Sequence, residues 1–251
     1  MTLFDELISL NAAFVILVVL YALIQTLTFV GIVVRFAGKK CKAPYLAVSI
    51  EAVIVVLGSF CAAIFGVASA HVVEQGMATA SDFLNIAFFS YGLTILLIGI
   101  AFFCRDVIAN AFISLFREYA GKDHGLLGLL AAALINLTRC EFSLKGISSI
   151  NVKHISAGLV PNLFMASGYF FCFSLAAIYP DYRMMLSQLV VVVHGIGQIL
   201  DRLIVGPRLG LITDRYSNDK FDALSSGFLF GKLLSYMLLI GVVFVFYVVL
   251  L

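Results

Sequence analysis

The chain has 251 residues, of which 63% are hydrophobic and only 12% are charged, and its formal net charge is +2. Soluble domains are about half apolar and about a quarter charged, so this composition excludes a soluble globular fold and predicts a helical membrane protein. The long unbroken apolar runs also exclude an outer-membrane barrel, whose strands would alternate in segments of about ten residues.

Six apolar runs are long enough to cross a bilayer, which takes about 20 residues of helix. We therefore predict an all-α fold, in which residues 1–251 form a single integral membrane domain. The first run follows acidic residues and lacks the positive region of a secretory signal, so we expect it to be retained as a span. The predicted spans are roughly 11–34, 44–70, 84–104, 155–178, 185–205 and 224–251.

Basic residues between these spans predict the orientation of the protein. If the six spans cross the membrane in alternating directions, thirteen loop lysines and arginines lie on one side and only Arg183 lies on the other. Cytoplasmic loops carry the excess of Lys and Arg, so both termini are predicted to lie outside the cytoplasm. The thirteen are Arg35, Lys39, Lys40, Lys42, Arg105, Arg117, Lys122, Arg139, Lys145, Lys153, Arg208, Arg215 and Lys220.

The connection at 105–154 is predicted to contain helices that do not span the membrane. Residues 107–121 place apolar side chains on one helical face and polar side chains opposite, which is an amphipathic pattern. Residues 125–138 are apolar but number only 14, too few for a normal span. We expect amphipathic or re-entrant helices on the cytosolic side. An additional span here would place the later basic loops outside the cytoplasm, against the distribution of Lys and Arg.

Small residues predict where the helices approach each other closely. Gly227 and Gly231 form a GxxxG pair in the last span, and Ala62 and Gly66 form a similar pair in the second. Such pairs let helix backbones come together in membranes, so they indicate packing without naming a partner.

Four charged residues lie inside the predicted spans. Glu51, Asp201, Arg202 and Lys232 all fall roughly 8–12 Å from the cytosolic boundary, at about 1.5 Å of rise per residue. A charge in a span costs about 2.5–3.5 kcal/mol on insertion scales, so it usually faces water or a partner. The four residues predict a polar cleft open to the cytosol, in which Arg202 and Lys232 bind an anion and the two carboxylates hold them in place.

Other polar residues are assigned to the same cleft. Asn162 and Gln198 are predicted to complete its wall. Arg35 and Arg208 are placed at its mouth, where a planar guanidinium group suits phosphate. In the alternative interpretation the lysine and arginine of the spans extend to the interface, and Glu51 pairs with one of them structurally.

His194 is followed by Gly195 and Gly197, is expected to lie nearer the midplane, and is a candidate proton relay. The alternative is a hydrogen-bonded packing residue. The chain has no GxxxxGK[ST], HExxH or GxSxG motif, so we expect a transporter without enzyme activity, cofactor or metal. The five cysteines form no close pair, which predicts free thiols, and nothing predicts a nucleic-acid partner.

Two parts of the chain resemble the Amj family of lipid II flippases. Residues 21–60 contain the first, YALIQTLTFVGIVVRFAGKKCKAPYLAVSIEAV. Residues 158–240 contain GLVPNLFMASGY, the turn PDYR, SQLVVVVHGIGQILDRLIVGPRLGLITD and the Gly-rich GFLFGKLLSYMLL with its basic Lys232. The chain departs from the family pattern at Gly206, where an acidic residue is usual, and at His194, where Asn is usual.

The resemblance implies translocation of lipid II, an undecaprenyl-pyrophosphate-linked peptidoglycan precursor, across the bacterial cytoplasmic membrane, for cell wall biogenesis and cell shape. The implied partners are this substrate and membrane lipids. The alternatives are a secondary transporter of another anionic or lipid-linked substrate, and a membrane scaffold or accessory subunit whose charges pair with a partner. In a transporter the intramembrane charges should converge on one cavity, whereas in a scaffold they should face different directions.

Overall fold

The described residues fold into long α-helices, with short turns between the first and second helices and between the second and third. The computed structural model describes residues 3–119, 152–207, 210 and 218–250. Six helices are long and apolar enough to cross a membrane, which confirms the predicted six-span, all-α, multi-pass fold. The helices are α1 (Leu3–Lys40), α2 (Pro44–Glu74), α3 (Ala80–Phe103), α4 (Arg105–Tyr119), α5 (Val152–Ile178), α6 (Arg183–Leu200) and α7 (Asn218–Leu250).

Helix α4 is the amphipathic helix that the 105–154 connection was predicted to contain. Its apolar side chains are buried, for example Phe116, whereas Asn110 and Arg117 on the opposite face are exposed. It packs on the end of α1, where Lys40 Nζ lies 3.5 Å from Asp106 Oδ1. The second helix predicted in this connection, 125–138, lies outside the described residues.

The turn between α2 and α3 has clear local causes. Gly76, with φ of 63°, adopts the left-handed conformation that stops α2. The Thr79 N–H then donates to Asp82 Oδ2 at 2.7 Å, and the Asp82 N–H donates to the Thr79 hydroxyl oxygen. This reciprocal capping box satisfies free N–H groups at the start of α3 and fixes where that span begins.

Four helices form the packed centre and two form its edges. Helices α1, α3, α5 and α7 contact one another, whereas α2 packs mainly along α1 and α6 mainly along α5. In the most apolar stretch of each span, only 11% of the residues of α2 and 17% of those of α6 are buried. In the other four spans the share of buried residues is 33% or more. The two edge helices therefore stand on either side of a gap.

A cluster of aromatic rings ties α1, α2, α3 and α5 together. The hydroxyls of Tyr21 and Tyr91 both donate to the Ala166 carbonyl oxygen, at 3.2 and 3.0 Å. Several rings of the cluster meet edge to face, an arrangement favourable for aromatic pairs. The cluster fills the bundle on the side away from the α1–α2 turn, and it consists of Tyr21, Phe65, Tyr91, Tyr169 and Phe170.

Helices α5 and α7 meet backbone to backbone, as the GxxxG pair predicts. A side chain at Gly231 would overlap the Ile155 carbonyl oxygen, and one at Gly158 would overlap the carbonyl of Phe228. The pair that ends at Gly66 behaves differently from its prediction, since no atom lies within 4 Å of a Cβ placed there. Gly66 lies on an edge helix, where there is no neighbour for a small residue to admit.

Replacing Gly231 should therefore destabilise the fold. We expect Gly231→Val to lower the free energy of unfolding by about 1–3 kcal/mol, the usual cost of overpacking, as measured by SDS-induced unfolding in mixed micelles. Gly241→Val is the matched control in the same helix, because Gly241 has open space around it. Equal stabilities of the two variants would contradict the close α5–α7 contact.

The orientation of the six spans stays a prediction, which thiol labelling of intact cells can check. In a variant without the native cysteines, a single cysteine at position 74 should react with an impermeant reagent added outside. A cysteine at position 40 should react only after the cells are opened, because Lys40 belongs to the basic side of the chain. Labelling at position 40 in intact cells would reverse the predicted topology.

Candidate functional site

A cavity of about 760 Å³ occupies the gap between α2 and α6. One face of α1 and one face of α2 line it, together with the second half of α6, Met165 of α5 and Lys232 of α7. The lining residues of α1, α2 and α6 all lie towards the α1–α2 turn. In the predicted orientation this is the cytosolic half of the bundle, so the cavity lies where the sequence placed a polar cleft.

The cavity brings together charged residues from four helices. They are Arg35 of α1, Glu51 of α2, Asp201 and Arg202 at the end of α6, and Lys232 of α7. Three are basic and two are acidic, so the described residues of the wall carry one net positive charge. This convergence on one cavity is the arrangement expected of a transporter rather than of a scaffold.

Lys232 is the most buried of these charges, with 4% of the residue exposed. Its ammonium group makes no ion pair or hydrogen bond with any side chain in the described ranges. Asp201, Glu51 and Arg202 are near enough for their charges to act on it. A buried cation without a direct partner is costly, so Lys232 favours an anion in the cavity.

Glu51 forms an ion pair with Arg35, in which the Arg35 Nε donates to a Glu51 carboxylate oxygen. Gly31 lies beside this pair, where an added Cβ would make an ordinary van der Waals contact of 3.4 Å with the Glu51 Cγ. The direct partner of Glu51 is therefore Arg35, which the sequence did not predict, while the Glu51 charge also acts on Lys232. Arg35 was assigned to the mouth of the cleft, and it lies on the cavity wall with its charge opposed by Glu51. Depth along a helix left open which neighbour the carboxylate would meet.

Asn162 does not line the cavity, contrary to its prediction. It is buried behind the wall, where its amide donates to the Ser235 hydroxyl oxygen. Ser235 in turn donates to the Lys232 carbonyl oxygen at 2.6 Å, and the Tyr236 hydroxyl lies 2.6 Å from Gln25 Oε1. Asn162 therefore fixes the turn of α7 that carries Lys232. Its depth was close to the predicted one, but its helix turns it towards α7.

Gln198 and His194 both lie on the cavity wall. The cavity position was predicted for Gln198, and the proton-relay role of His194 stays a prediction. The His194 Nδ1 lies 3.1 Å from the Met165 carbonyl oxygen, which can only accept, so Nδ1 carries hydrogen and donates. Its neighbour Gly197 lets α6 approach α5 closely, whereas Gly195 faces open space. Arg208, the remaining predicted residue, lies outside the described part of the chain.

A π-helical turn at Asp201–Val205 continues α6 into the cavity wall. In it the Gly206 N–H donates to the Asp201 carbonyl oxygen, five residues back. Single π-turns within α-helices often occur at functional sites. Both Asp201 and Arg202 line the cavity here, and Arg202 is exposed. No sequence pattern that we used predicts a π-turn.

Three polar residues of the wall were missed by the sequence analysis, namely Gln25, Thr28 and Ser59. The spacing along α1 could have found the first two. Gln25, Thr28, Gly31 and Arg35 recur every three or four residues, which puts them on one helical face. Amide and hydroxyl groups on that face can hydrogen-bond to a polar ligand next to the charged residues.

Comparison with known families connects this site to a described group of proteins. A family model described as "Amj: Alternate to MurJ" matches residues 17–246. The match includes every described residue of the cavity wall. No curated protein and no solved structure matches the chain.

The Arg35–Glu51 pair can be tested by a double-mutant cycle. Either single change to Ala leaves a charge in the span without its partner, whereas the double change removes both charges. We expect a coupling of about 0.5–3 kcal/mol in the free energy of unfolding, measured in mixed micelles. The more exposed pair Lys40–Asp106 is the control and should couple by less than about 1 kcal/mol. Additive effects of Arg35→Ala and Glu51→Ala would show that the pair contributes nothing.

Proposed function

The chain belongs to the Amj family, and on this basis we propose that it is a flippase for lipid II. The proposed substrate carries a pyrophosphate and sugars on an undecaprenyl chain, and it crosses the bacterial cytoplasmic membrane for peptidoglycan synthesis. The proposed role is transport without a chemical step. The family's description as an alternate to MurJ supports the class of function, and the cavity supplies the physical argument for the substrate.

The observation that carries the proposal is the buried Lys232 ammonium on the wall of a large cavity. A diphosphate placed in this cavity would neutralise that charge and gain charge-assisted hydrogen bonds. Arg202, on the same wall, can add a planar two-donor contact to a phosphate oxygen pair. The net positive charge of the wall favours an anion over a neutral or cationic ligand.

The carboxylates of the wall make binding reversible in this proposal. Asp201 and Glu51 act on the Lys232 charge in the structure described here, which lowers the cost of the empty state. A bound diphosphate would contact the Lys232 ammonium group more directly than these carboxylates do. When the substrate leaves, the two carboxylates would again stabilise the Lys232 charge. The amides and hydroxyls of Gln25, Thr28, Ser59 and Gln198 are placed to hydrogen-bond sugar groups.

The packing of the bundle is consistent with alternating access. The buried aromatic cluster borders the cavity, since the Tyr169 ring lies 5.0 Å from the ring of His194 on the wall. In the proposed cycle the rings of this cluster separate to open the cavity on the outer side. The scaffold alternative receives less support, because its charges would be expected to face separate partners rather than one cavity.

Transport of lipid II should depend on the two basic residues of the wall. We expect Lys232→Met, which keeps most of the side-chain volume, and Arg202→Ala each to lower flipping at least about tenfold, a loss of about 1.4 kcal/mol. Glu51→Gln should reduce flipping less, because the amide keeps part of the hydrogen bonding. The measurement is the accessibility of fluorescent lipid II in proteoliposomes, supported by rescue of cells depleted of their other lipid II flippases.

Lys40→Ala is the matched control, since Lys40 lies outside the cavity and pairs with Asp106. It should leave flipping unchanged. Full transport by both Lys232→Met and Arg202→Ala at normal abundance would overturn the proposed binding of the headgroup.

A further inference from the structure

The cavity reaches the surface of the bundle between the two edge helices, because it is lined there by the exposed residues Ile199 and Leu203. Its two side walls, α2 and α6, make few contacts with each other. A contact between them lies at their outer ends, where Arg183 Nη1 is 3.4 Å from the Glu74 carbonyl oxygen. From this contact towards the α1–α2 turn, the gap lies within the candidate membrane spans of α2 and α6.

The walls of this side opening are apolar, whereas the interior of the cavity is charged. Ile54 and Val55 line it on α2, and Ile199 and Leu203 line it on α6. Ile199 and Leu203 are 60% and 70% exposed, while Lys232 behind them is 4% exposed. Polarity therefore increases from the membrane surface inwards, which matches a ligand with an apolar end and an anionic end.

We propose that the side opening is a binding subsite for the hydrocarbon tail of the substrate. The first isoprene units of a polyisoprenyl diphosphate lie between Ile54 and Val55 on one wall and Ile199 and Leu203 on the other, while the diphosphate contacts Lys232. The inference rests on the proposed function and adds where the tail is held. A water-soluble anion would need an opening to the cytosol only and would gain nothing from exposed apolar walls.

The physical reason is the cost of taking a hydrocarbon chain through a polar space. A polyisoprenyl chain that followed its headgroup into a closed cavity would exchange lipid for water and polar groups, which is unfavourable in proportion to its area. An opening along the side lets the tail stay in hydrocarbon while the headgroup moves. The Arg183–Glu74 contact limits how far the tail can travel outwards in this state.

Photo-crosslinking can locate the tail. The probe is a polyisoprenyl diphosphate with a diazirine on its first isoprene unit, added to the protein in nanodiscs and analysed by peptide mass spectrometry. We expect labelling at Ile54, Val55, Ile199 or Leu203, and competition by excess undecaprenyl diphosphate. Labelling that is confined to lipid-facing positions such as Val56 and Val192, or that is not displaced, would overturn the inference.

A pair of neighbouring substitutions tests the wall itself. Val55 and Val56 differ by one residue, so they lie at nearly the same depth, but Val55 lines the cavity and Val56 is 66% exposed outside it. We expect Val55→Trp to lower displaceable labelling at least about tenfold and Val56→Trp to change it by less than about twofold. Equal effects of the two variants would contradict a tail subsite.

Inorganic pyrophosphate separates the tail subsite from the headgroup site. Its binding should be unchanged in Val55→Trp and lost in Lys232→Met. If Val55→Trp weakens pyrophosphate binding as much as tail labelling, the residue acts on the headgroup and the tail subsite is wrong. If Lys232→Met keeps both pyrophosphate binding and displaceable labelling, the proposed headgroup site fails instead, and the Val55–Val56 comparison still decides the tail subsite.

Discussion

The cost of a buried ammonium group inside a helical membrane bundle is the constraint on which the site depends. Lys232 lies on a central helix, almost without exposure, and the described neighbours give it no direct partner. Such a charge persists only where water or an anion reaches it, so a cavity has to extend to α7. The hydrogen bonds from Asn162 through Ser235 to the Lys232 backbone hold this turn in place. The cavity gives the buried Lys232 charge access to water or an anion, and the hydrogen bonds keep that charge at the cavity wall.

The difference in packing between the central helices and the edge helices leaves the site open to a ligand. The α5–α7 contact at Gly158 and Gly231 and the interlocked rings around Tyr21 make α1, α3, α5 and α7 a closely packed unit. Helices α2 and α6 each pack mainly against one helix of that unit, and a gap lies between them. A rigid centre can hold Arg35 and Lys232 in place while the edge helices, which carry Glu51, Asp201 and Arg202, move around them.

The ion pair of Arg35 with Glu51 shows how a local contact changes the electrostatics of the cavity. The two opposite charges of the pair largely offset each other on the cavity wall, where Lys232, Arg202 and Asp201 make no such ion pair in the described part of the chain. A base in α1, an acid in α2 and a base in α7 thus contribute to one electrostatic field without being neighbours in sequence.

The sequence by itself determined the class, the number of spans and the depth of the charged residues, because hydrophobic length and helical rise are properties of each segment alone. Depth was enough to place Glu51, Asp201, Arg202 and Lys232 in one layer, and the cavity contains all four. The tertiary structure decided which way each side chain points. It turned Asn162 towards α7 and Glu51 towards Arg35, and it revealed the π-turn and the side opening. Those features depend on the rotation and pairing of helices far apart in the chain, which the hydrophobic pattern of a single span does not encode.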